Sequence, residues 1–184
     1  MAGGILGLLI VIAAIWAFVA YNGLVRLRNQ VRNGWSDIDV QLKRRHDLIP
    51  QLVAAVKGYA GYERGVMEAV TELRAQAVAT TSPAKLGSVE SNLEQALGKL
   101  FVLKEAYPEL KANQNYLALQ NDLVEVENNL QYARRFYNGA VRDYNTATQR
   151  VPDTFIARSF GFKEEEFFQA DAADRDVVNV NLAS

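Results

Sequence analysis

A chain of 184 residues, 49% of them hydrophobic, has room for one domain with a sizeable core and hardly for two. Its 20 Lys and Arg stand against 21 Asp and Glu, so no global attraction to nucleic acid is indicated, and no basic patch interleaved with aromatics argues for one locally. The absence of cysteine excludes a disulfide framework, thiolate metal sites, a cysteine nucleophile and a lipid-modified cysteine anchor.

Residues 3–21, GGILGLLIVIAAIWAFVAY, carry no charge over nineteen positions, roughly 28 Å of helix and close to the hydrocarbon thickness of a bilayer. They read as a spanning helix rather than a cleaved leader, because the run exceeds a usual leader core, nothing basic precedes it and no small-x-small cleavage site follows. Arg26, Arg28 and Arg32 come next, with no acid before Asp37. This asymmetry puts the N-terminus outside and everything after residue 22 on the cytoplasmic side of the inner membrane. Trp16 and Tyr21 gather at the arginine end, as amphipathic aromatics do at headgroup depth.

Beyond the anchor the periodicity is helical. Leu24, Leu27, Val31, Trp35, Ile38, Leu42, Ile49, Leu52, Val56 and Tyr59 form one heptad stripe, in which position 45 is occupied by arginine. Shorter helices are predicted over 62–80 and 84–104, separated by the TTSP turn. The longest, over 109–150, carries Tyr116, Leu119, Leu123, Val126, Leu130, Ala133, Tyr137, Ala140, Tyr144 and Ala147. Together they predict an all-α fold. An N-terminal transmembrane helix (1–22) leads into an up-down-up-down antiparallel four-helix bundle (23–152), followed by an aromatic-rich tail and C-terminal strap (153–184).

Two places in this pattern invite a function. The stretch KRRHDLIP puts Arg45 on the apolar stripe beside His46, with Pro50 removing the helical bond to the carbonyl of residue 46. Running the first helix antiparallel to the last sets Trp35 beside Phe136 and Tyr137, and position 45 between Glu125 and Glu127. Arg45 is therefore expected to bond Glu127 first and Glu125 second, and Arg45→Met to be tolerated better than Glu127→Ala. Either the charges fix the bundle's register, or the bend is a docking or conformational site. The other place is the tail, where Phe155, Phe160, Phe162, Phe167 and Phe168 fall within fourteen residues. Counting helix directions brings them back to the arginine flank, to cap the core or to contact lipid or a neighbouring subunit. The segment DVVNVNLAS alternates weakly, as a short strand or strap does.

Catalysis is not expected. The usual base would have to be His46, the single histidine, and no serine elbow accompanies it. One histidine cannot supply the pairs of a di-metal bundle, and Glu164, Glu165 and Glu166 read as a solvated run. No cofactor is indicated.

In order, YNGLVRLRN, WSDIDVQLKRRHDLIPQLV, VKGYAGYE, EAYPELKANQNYLALQ, YNGAVRDYNTATQ and FGFKEEEFF make the chain closely similar to the LemA family, from Tyr21 to Phe168. The resemblance implies a bacterial single-pass membrane protein with a cytoplasmic helical bundle and no established activity, and suggests membrane proteases of the HtpX type as partners. The sequence thus points to a non-enzymatic membrane-anchored scaffold or adaptor that presents its bundle to other proteins or to copies of itself. A membrane-shaping or lipid-binding protein is the alternative.

Overall fold

In the computed structural model, residues 2–59 and 63–168 are described; the DVVNVNLAS segment lies outside them. Among these residues six helices follow one another: α1 (Ala2–Lys57), α2 (Arg64–Ala79), α3 (Pro83–Ala106), α4 (Pro108–Lys111), α5 (Gln114–Gln149) and α6 (Asp153–Ser159). No strand occurs among the described residues. α1 passes through residue 22 and through Pro50 without a break.

Proline sets two of the boundaries. Ser82 and Tyr107, each preceding a proline, are pushed to extended backbone, and Pro83 and Pro108 open α3 and α4. The last long helix does not start after Pro108, as its apolar stripe suggests, but at Gln114. The reason is Asn113, whose side-chain oxygen accepts the Tyr116 N–H at 3.1 Å and caps the helix. The tail also holds structure that its composition did not announce, the two-turn helix α6.

The described residues divide into two compact units, one of residues up to 41 with 129–167 and one of residues from 42 to 128 with Phe168. The second has a core made by Ile49, Leu52 and Val56 of α1, Met67 and Val70 of α2, Leu93, Leu97 and Leu100 of α3, Leu110 of α4, and Tyr116, Leu119 and Leu123 of α5. Their three-and-four spacing puts one apolar face of each long helix inward.

In the first unit, Leu24, Val31 and Ile38 of α1 and Leu130, Tyr137, Val141 and Tyr144 of α5 are buried. Trp35 meets Tyr137 with ring centroids 5.4 Å apart, and a Cβ on Gly34 would lie 3.1 Å from the Tyr137 Cα. At Gly34 the two helices thus approach too closely for a side chain without some shift, which gives a poor helix former a packing reason to be there. Gly34→Leu is expected to lower stability by about 1–3 kcal/mol. Gly139→Ala, where the added carbon meets nothing within 4 Å, is expected to raise it by up to about 1 kcal/mol. Thermal melting of the full chain in mild detergent reads both.

Candidate functional sites: a buried charge cluster and an aromatic flank

Arg45 is only 3% exposed and Glu90 not at all. The Arg45 guanidinium bonds Glu127 Oε2 at 2.9 Å and lies 3.2 Å from Glu90 Oε2. That second contact is an ion pair without hydrogen-bond alignment. His46 Nε2 stands 2.7 Å from the other Glu90 oxygen, and since an ionised carboxylate only accepts, this pairing needs the ring proton on Nε2. Next to the cluster, Arg44 pairs in solvent with Glu125 at 3.3 Å and Asp122 at 3.8 Å. Glu125 therefore serves Arg44, and Glu127 serves Arg45.

Pro50 leaves the His46 carbonyl without its usual helical donor. Arg74 takes the place, donating from Nε to that oxygen at 2.6 Å. Arg74→Met is therefore expected to cost about 1–3 kcal/mol by leaving a carbonyl unsatisfied. Pro50→Ala, which restores a donor within α1, should remove most of that cost. Denaturant melts of the two single variants and the double variant test this, and additive losses would rule out the replacement of one donor by the other.

Neither Glu90 nor Arg74 stands among the residues the sequence singles out, yet both carry the signal that marks Arg45. Leu86, Glu90, Leu93, Leu97 and Leu100 alternate by four and three, and so do Met67, Val70, Arg74 and Ala77. A charge occupies a heptad position on each of three helices: Arg45 and Glu90 pair with each other, and Arg74 reaches the His46 backbone next to them. With Glu90 in the cluster, the expected ranking becomes the opposite one, Glu127→Ala being tolerated better than Arg45→Met. Without Glu127, Arg45 keeps Glu90, whereas without Arg45 the fully buried Glu90 keeps only His46.

A cleft of about 290 Å³ opens beside Arg45 and Glu127, lined further by Leu97, Phe101, Leu123 and Val124; the His46 ring does not line it. Among the described residues no three His, Asp or Glu side chains are grouped to hold a metal ion.

The other unit carries the aromatic flank. Tyr21 meets Phe160 and Phe162 edge-on at 4.9 and 5.6 Å, and the Arg28 guanidinium lies 4.8 Å from the Phe162 ring centre, a cation over a π face. Arg26 and Arg32 are exposed and Trp16 is half-buried. The five phenylalanines divide. Phe162 and Phe168 are 7% and 4% exposed, while Phe155 and Phe160 are 63% and 62% exposed and Phe167 is partly so. The tail is tied to α5 through its backbone: Asn145 exchanges two 2.9 Å bonds with Glu165, and the Tyr137 hydroxyl donates to the Glu166 carbonyl at 2.8 Å.

Burial, reinforced by the charges of Glu165 and Glu166, pushes the Tyr137 hydroxyl up to about 12. A tyrosine raised in the fold favours the protonated folded state. Its contribution is complete below the ordinary value of about 10 and disappears as pH rises through about 12. Tyr137→Phe is expected to flatten the alkaline loss of stability in that window, read by denaturant melts at stepped pH.

The LemA family profile matches residues 34–182, which include Arg45, His46, Glu90 and Glu127 and leave the arginine flank outside. The chain belongs to the LemA family. Among similar proteins, magnetosome protein MamQ 2 of Paramagnetospirillum magneticum is 25% identical over an alignment covering 95% of this chain and 76% of that protein. MamQ of Magnetospirillum gryphiswaldense is 23% identical, with 88% and 70% covered. Protein LemA of Metamycoplasma hominis is 27% identical, with 87% and 74% covered. In this LemA-family chain one helix among the described residues, α1, is long and apolar enough to cross a membrane.

Proposed function

We propose that the chain is a single-pass membrane protein of the inner membrane whose cytoplasmic helices form an antiparallel four-helix bundle. It acts as a non-catalytic adaptor that associates with copies of itself and with other membrane proteins, an HtpX-type protease being one candidate. The observation that carries this reading is the continuity of α1. Its apolar first part, with Ile5, Leu8, Ile12 and Ile15 all exposed, passes without interruption into the segment that supplies the buried Leu24, Val31 and Ile38 to the core of the same unit. A helix continuous across that junction ties this core directly to the span rather than through a flexible linker.

The histidine and the buried acid that chemistry would require are engaged with each other and with Arg45, which favours a structural use. Surface for association exists on α5, where Tyr132 and Phe136, one turn apart and therefore on one face, are both exposed. Co-expression of two differently tagged full-length copies, followed by detergent extraction and pull-down, tests the self-association. Each tag should recover the other, and Tyr132→Ser with Phe136→Ser should reduce the recovery while both copies stay in the membrane. Independent purification of the two tags would overturn it. The exposure of Phe160, whose ring meets Tyr21 beside the arginine flank, favours a second reading, in which the flank also engages lipid.

A further inference from the structure

A cleft of about 580 Å³ runs along α1 where the apolar span gives way to the arginines. Trp16 and Val19 line it toward the span, and Arg26, Leu27, Thr146 and Arg150 line it further along. Trp16 and Arg26 are ten residues apart on one helix, roughly 15 Å, the reach from the upper acyl chains to the phosphate of a phospholipid. The floor is small: Ala20 and Gly23 lie there, and a Cβ on Gly23 would meet nothing within 4 Å.

Charge decides what the polar end selects. Arg150 is committed to Asp153 and Asp143 to Arg142 at 3.1 Å, so the two acids lining the cleft are each matched. Arg26 has no ion-pair partner among the described residues, which leaves one net positive charge at the mouth. The apolar end is continuous with the exposed side chains Ile15, Phe18 and Val19, which in a bilayer meet lipid tails.

We infer that this cleft is a binding site for one anionic phospholipid, its phosphate on the Arg26 guanidinium and an acyl chain along Trp16 and Val19. The inference rests on the reading of α1 as a membrane anchor. It adds a discrete site to the general attraction of the basic flank. The phosphate chemistry alone would equally suit a soluble glycerol phosphate, but the apolar wall gives a lipid its advantage.

The chain has two tryptophans, so Trp35→Phe leaves Trp16 as the sole reporter. The full-length variant is placed in phosphatidylcholine nanodiscs carrying equal mole fractions of either brominated phosphatidylglycerol or brominated phosphatidylcholine. Quenching of Trp16 should show a preference of about five-fold for the anionic lipid, the factor that corresponds to roughly 1 kcal/mol for one basic residue. Arg26→Gln should abolish the preference. Arg32→Gln, which removes the same charge outside the cleft, should leave most of it. Equal quenching by the two lipids, or equal loss in both arginine variants, overturns the site while leaving the anchor intact. Quenching by neither lipid overturns the anchor, and the site with it. Loss of the preference on adding soluble glycerol phosphate overturns the lipid in favour of a free phosphate. If Trp35→Phe does not fold, native mass spectrometry of the unmodified chain and of Arg26→Gln, counting retained phosphatidylglycerol, reads the same preference.

Discussion

Glu90→Ala is expected to lower the stability of the full chain by about 3–5 kcal/mol, the largest loss among the polar positions, because it leaves Arg45 and His46 buried without the acid they share. The geometry makes Glu90 the centre of the cluster. It has no exposed surface and receives Arg45 on one oxygen and His46 on the other. Glu127, whose side chain is 18% exposed, is a lesser partner, and Glu127→Ala should cost about 1–2 kcal/mol, since water reaches the gap and Glu90 still faces Arg45. Arg45→Met belongs nearer to Glu90→Ala than to Glu127→Ala. Combining Arg45→Met with Glu90→Gln should recover part of the loss, because the remaining group no longer carries an unbalanced charge. Urea unfolding in mild detergent measures the set. Equal, small losses for all three single variants would mean that the cluster contributes nothing to stability.

Phe162→Ser is expected to cost about 3–5 kcal/mol, in the range of a large-to-small aromatic change in a core. It deletes the ring over which Arg28 lies and one of the two that Tyr21 meets. The Arg28 Nε is buried without a hydrogen-bond acceptor, so the Phe162 ring face is a compensating contact for that guanidinium. Phe155→Ser should change stability by less than about 0.5 kcal/mol, as exposed substitutions do. Phe160→Ser should cost up to about 1 kcal/mol, for its edge contact with Tyr21. The cap and the contact surface, posed as alternatives by the composition of the tail, are thus divided among its residues. If Phe155→Ser and Phe160→Ser both destabilise as much as Phe162→Ser, that division fails.

The elements and much of their register are legible in the sequence because heptad spacing survives from residue to residue regardless of tertiary detail. The same antiparallel alignment that sets Trp35 by Tyr137 sets Arg45 by Glu127, and both contacts occur. Glu90 and Arg74 were within reach of that argument. An acid at the fourth position after Leu86 and an arginine at the fourth after Val70 interrupt apolar stripes just as Arg45 does. They escape notice because Val89 and Leu73, one residue earlier, complete plausible stripes of their own, yet both are only half-buried. Which tail phenylalanine points inward was not legible, since an irregular segment has no period to read. The start of α5 depends on one Asn side chain accepting a backbone N–H, a local competition that apolar spacing does not register.

The central claim, an inner-membrane anchor with the helices on the cytoplasmic side, is most directly tested by cysteine accessibility, since the chain has no cysteine of its own. Ala2→Cys and Ser159→Cys are made singly in the full-length chain and exposed to a membrane-impermeant maleimide in intact cells and, separately, after lysis. Position 2 should be labelled in intact cells, position 159 only after lysis, and both chains should stay with the membrane through an alkaline carbonate wash. Labelling of position 159 in intact cells, or release of the chain by the wash, would contradict the account.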